Sequence, residues 1–92
     1  MANPNDVQRA KSGDKNLRDA DLSGADLREA FLGRANMREA FLGGANLRQT
    51  DLRGANLSKA DLYGANLGEA KLFMADLRDA NLSGADLSKA NL

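Results

Sequence analysis

A leucine stands at every fifth position from Leu17 to Leu92, interrupted only by a methionine at 37. Two residues before each stands an alanine, except at Lys15 and Thr50. Neither common secondary structure accommodates such a spacing on one side. On an α-helix five residues advance about 140° past a full turn, so the leucines would spiral over every face. On a flat strand an odd spacing sends successive leucines to opposite faces. A chain that turns a corner every five residues removes both conflicts, because each short side then points its leucine inward. The inward set reads as Leu17, Leu22, Leu27, Leu32, Met37, Leu42, Leu47, Leu52, Leu57, Leu62, Leu67, Leu72, Leu77 and Leu82, with Leu87 and Leu92 continuing it. Repetition this strict marks a solenoid.

A second period sets the number of sides. Gly24, Gly44, Gly64 and Gly84 recur at twenty, as do the charged residues Asp19, Glu39, Lys59 and Asp79. Asn16, Asn36, Asn56 and Asp76 form a third such column. Four pentapeptides therefore make one coil, and residues 15–92 give about four coils of square section. The glycine column suits corners with positive φ, as type II turns require. The asparagine or aspartate before each leucine suits hydrogen bonding to its own turn.

The triplets Ala25-Asp26-Leu27, Ala45-Asn46-Leu47 and Ala85-Asp86-Leu87 resemble the repeat of the pentapeptide-repeat protein family. The resemblance covers residues 15–92 and implies an all-β fold, a right-handed quadrilateral β-helix. Some members of that family resemble double-stranded DNA and bind DNA gyrase, which makes gyrase a possible partner. B-DNA carries one charge per ~1.7 Å, so an imitation of this length needs on the order of ten negative charges on a face. The most acidic face here, with Asp21 and Asp61, nets −2.

Residues 1–14 depart from the repeat. Asn3 before Pro4 reads as an N-cap with proline at the first helical position. Val7 and Ala10 share a face, and Gly13 suits a stop. A short helix over roughly 4 to 12, laid on the open end of the first coil, is the expectation, so 1–14 is a capping segment and 15–92 the β-helix.

Composition narrows the function. The chain has no cysteine and no histidine, which removes thiol chemistry, disulfides, and the commonest general base and metal ligand. Acidic and basic residues balance at 13 each, which argues against a nucleic-acid clamp and permits self-association. No apolar run spans a membrane and no signal peptide opens the chain, so a cytoplasmic protein is expected. With a leucine-filled interior and carboxylates spread evenly around it, no catalytic, metal or cofactor site is expected.

Two surfaces remain as possible interfaces. Leu87 and Leu92 lie in a final coil that the pattern leaves uncovered, a template for pairing with another chain. Phe73 and Met74 are adjacent and outward, on a face that nets +2 through Arg34, Asp51, Arg53 and Lys71. Phe31, Phe41 and Tyr63 are the other outward apolar residues. The reading is a non-catalytic structural or protein-binding module that forms a homodimer through its C-terminal coil, with a further protein partner unnamed. The alternatives are a DNA mimic directed at gyrase and a fragment of a longer repeat protein.

Overall fold

The computed structural model describes residues 2–92. Among these the one helix is α1 (Pro4–Lys11); the remainder is a stack of four-sided coils. Parallel bridges join each coil to the next at an offset of twenty residues, as in Asn16 to Asn36, Asn36 to Asn56 and Asn56 to Asp76 on the first face. The second face bridges Asp21, Phe41, Asp61 and Asn81; the third, Asp26, Asn46, Asn66 and Asp86; the fourth, Phe31, Asp51, Lys71 and Asn91. Each bridge is a single residue pair, because the chain turns again before a longer strand can form.

Two hydrogen bonds per side point down the stack and one points up. Leu57 N–H donates to Asp76 C=O (2.7 Å) and Lys59 N–H to Arg78 C=O (2.9 Å), while Asn56 N–H donates to Ala35 C=O above (2.9 Å). Within each corner the alanine N–H donates to the leucine C=O three residues earlier, as Ala60 does to Leu57 at 3.0 Å. The second corner residue has positive φ and the first does not, the signature of a type II turn. Gly24, Gly44, Gly64 and Gly84 have φ of 70, 66, 67 and 70°, as the glycine column predicts. Yet ten non-glycine residues take the same position at φ 58 to 62°. The corner thus imposes left-handed backbone whatever the residue, and glycine is the unstrained choice rather than a requirement.

The interior is a column of leucine with alanine at the corners. Leu17 to Leu72, Met37 included, are buried. Leu77 and Leu82, read from the sequence as core, are only partly buried, because their coil has none beneath it. Thr50, the exception in the alanine column, is fully buried and its hydroxyl donates to Leu27 C=O at 2.8 Å. That bond removes the cost of an unpaired hydroxyl in the core.

α1 covers the first coil. Asn3 accepts from the Asn5 and Asp6 N–H groups at its N-terminus, Pro4 takes the first helical position, and Ala10 is buried on the coil. The segment also stands in for a missing coil. Asn3 N–H donates to Asp21 C=O, and the Asp6 carboxylate accepts from Asp21 N–H at 2.9 Å. Asp14 accepts from Asn16 N–H, and Arg9 donates to Asn16 C=O.

Candidate functional site

The two ends of the stack differ. At the N-terminal end, α1 and Asp14 satisfy the N–H and C=O groups of Asn16 and Asp21 on the first and second faces. Asp26 and Phe31, on the third and fourth, keep N–H and C=O groups with no partner among the described residues. At the C-terminal end all four sides are open. The N–H groups of Met74, Leu77, Asp79, Leu82, Gly84, Leu87 and Lys89, equivalents of those that donate downward in every earlier coil, have no acceptor among the described residues. The carbonyls of Ala75, Ala80, Ala85 and Ala90, equivalents of the upper acceptors, receive no donor there either. Leu87 is partly buried and Leu92 is 71% exposed, so apolar surface accompanies the open ladder.

The walls are held by short-range clamps. In eleven repeats the asparagine or aspartate before the leucine accepts a hydrogen bond from the N–H two residues on, as Asp61 does from Tyr63 at 3.0 Å. Three aspartates add a forked arginine to this bond: Asp26 with Arg28, Asp51 with Arg53 and Asp76 with Arg78. The guanidinium's hydrogen bonds are the main cause in each case, and they hold each carboxyl down to about 2. Asp14 and Asp86 are also held below the usual range, chiefly by the Asn16 N–H and the Ser88 hydroxyl respectively. These carboxylates fasten turns. Among the described residues no group of acidic side chains gathers in a way that could hold a metal ion.

The outward apolar residues are exposed: Phe31, Phe41, Tyr63, Phe73 and Met74. The structure separates Phe31 from the Phe73–Met74 pair. Phe73 and Met74 share one corner, beside a groove of about 830 Å³ that Gly33, Arg34, Asp51, Arg53 and Gly54 also line. Phe31 lies by a different groove, between Lys11–Gly13 and the first coil. The twenty-residue period of the sequence already stacks Arg34, Gly54 and Met74 on one face; the structure adds the groove they line.

The family model for pentapeptide repeats matches residues 16–54, 42–77 and 55–92, with 8 copies. This chain is a pentapeptide-repeat protein. Its repeats are similar to those of the pentapeptide repeat protein Rfr23 from the cyanobacterium Cyanothece 51142, at 39% identity over 84% of this chain and 56% of that one, with a TM-score of 0.72. The pentapeptide repeat protein alr5209 from Nostoc PCC 7120 matches at 37% identity over 91% of this chain and 74% of that one (TM-score 0.55). A pentapeptide repeat protein of the Arabidopsis thaliana thylakoid lumen matches at 25% over 94% and 72% (TM-score 0.52). This pentapeptide-repeat protein therefore spans little more than half the length of Rfr23. No curated protein matches it.

Proposed function

We propose that this pentapeptide-repeat protein is a non-catalytic binding module, a right-handed four-sided β-helix that joins a second copy of itself end to end through the C-terminal coil. The observation that carries the reading is the open ladder on residues 75–92. That edge presents both donors and acceptors, the leucine N–H groups and the preceding alanine carbonyls. An edge of this kind is self-complementary under a two-fold axis, which is what an isologous dimer requires. The short molecular extents, 23 and 22 Å, give end faces that bury on the order of 1,000 Å² in total when closed on each other, the lower bound for specific association. Zero formal net charge leaves little long-range repulsion to oppose it.

Light scattering over a concentration series tests this. The expected result is twice the chain mass at high concentration, reverting to one in Leu87→Arg. Leu92→Arg, at a residue that contributes little to the fold, gives the same reversal. A chain that stays monomeric throughout, with the last coil ordered, contradicts the proposal. A second reading follows the family resemblance, imitation of DNA toward gyrase. The two carboxylates of the second face, Asp21 and Asp61, fall well short of the charge density it needs. Inhibition or protection of gyrase in a supercoiling assay would reverse that order.

A further inference from the structure

The corner at Phe73 and Met74 combines departures that no other corner combines. Nine of the ten non-glycine residues with positive φ are charged or polar; the tenth is Met74. Its neighbour Phe73 is apolar too, and they make the only corner with two large apolar outward residues. They are 56% (Phe73) and 78% (Met74) exposed. The corner also lacks the side-chain clamp, as do those after Phe31 and Phe41, since Lys71 stands where an asparagine or aspartate would accept the Phe73 N–H. A local choice that conflicts with backbone, solvent and clamp together is the pattern expected where a surface serves something other than folding.

The residues stacked above that corner complete a site. Arg34 N–H donates to Arg53 C=O and Gly54 N–H to Phe73 C=O, so the rungs Gly33–Arg34, Arg53–Gly54 and Phe73–Met74 lie one over another. Gly54 removes a side chain between Arg34 and Met74. A Cβ at Gly54 would stand 3.3 Å from Arg34 Cγ, so the Arg34 stem lies over the glycine rung. Arg53 is occupied, forked onto Asp51 at 2.9 and 2.8 Å. Arg34 has no ion pair and no side-chain hydrogen bond among the described residues. One free guanidinium thus sits beside an exposed phenyl ring and a thioether, around a groove of about 830 Å³.

We propose that this groove binds a protein segment that pairs an Asp or Glu carboxylate with a nearby aromatic or large aliphatic side chain. The planar guanidinium of Arg34 meets the carboxylate bidentately. Phe73 and Met74 supply the apolar contact, the flexible thioether adapting to the shape of the side chain it meets. The charged residues that line the groove, Arg34 and Arg53 against Asp51, net +1 and favour an acidic segment. A nucleic acid fits less well, because its affinity rests on several phosphate contacts and the groove has one unengaged guanidinium. The site lies on a side wall at its lowest rung, where the Met74 N–H has no acceptor among the described residues, so it borders the proposed dimer face.

The test is an amide-resolved NMR titration of the full chain with acetyl-Asp-Glu-Trp-Glu-Leu-amide. Acetyl-Lys-Lys-Trp-Lys-Leu-amide and a single-stranded oligothymidine are the comparison probes. The acidic peptide is expected to shift the amides of Gly33, Gly54 and Phe73 at millimolar concentration or below. The lysine peptide, and the acidic peptide on Arg34→Gln, should bind at least about tenfold more weakly, the loss of one charge-assisted pair. Phe73→Ser should weaken it independently, and Leu87→Arg should leave it unchanged. The proposal is overturned if the acidic peptide leaves these amides unmoved, if the lysine peptide matches it, or if the oligonucleotide moves the same amides more tightly.

Discussion

Leu57 shows what a single residue does in this molecule. It is fully buried, and its N–H and C=O both serve the ladder or the corner. Leu57→Ala should destabilise by about 2–5 kcal/mol, since coils above and below prevent the cavity from collapsing. Leu92→Ala should cost well under half of that, which paired denaturation curves will show. The corners tell a different story. A non-glycine residue in left-handed backbone costs roughly 1–2 kcal/mol, and here ten carry it. The clamp from the preceding asparagine or aspartate helps to offset that cost by fixing the turn. Asp26, Asp51 and Asp76 have carboxyls lowered to about 2, below the unfolded value, so their contribution is complete above about pH 4. It is lost as pH falls from there through 2. The thermal midpoint should accordingly be flat from neutral pH down to about 5 and drop below 4, with a smaller drop in Asp51→Asn, which keeps an acceptor but no charge.

Among elements, α1 is the one piece that the repeat does not generate. It is only eight residues long, too short to persist alone, so its contacts hold it. Asp6 and Arg9 reach the first coil directly, and Arg9 also pairs with Asp14 and Asp6. The double variant Asp6→Ala, Arg9→Ala should lose most of the helical far-ultraviolet signal. It should also lower the melting temperature, by about 4–8 °C for each kcal/mol removed. The helix itself is legible in the sequence through Asn3, Pro4 and Gly13, because capping chemistry is local. Its docking is not, since the match of Asp6 to the Asp21 N–H joins residues fifteen apart. The same holds for the Thr50 hydroxyl bond to Leu27. The five- and twenty-residue periods determine which residues stack, whereas side-chain reach decides which of them meet. The glycine column reads as a corner marker, but the corner geometry is common to every turn of the stack and only the ease of adopting it differs.

For the whole molecule, a solenoid is quasi-one-dimensional, and each coil is stabilised only by its neighbours. The central coils have two and the last coil has one, which is why Leu77, Leu82 and Leu87 lose burial together. End-to-end pairing gives the last coil its second neighbour. Amide hydrogen exchange read at the N–H groups of Leu77, Leu82 and Leu87 is therefore the most direct measurement of the central claim. Exchange at these three positions should slow steeply with protein concentration, while interior rungs such as Leu42 and Leu57 stay protected at every concentration. Fast, concentration-independent exchange at all three, in a sample whose mass stays that of one chain, would contradict it.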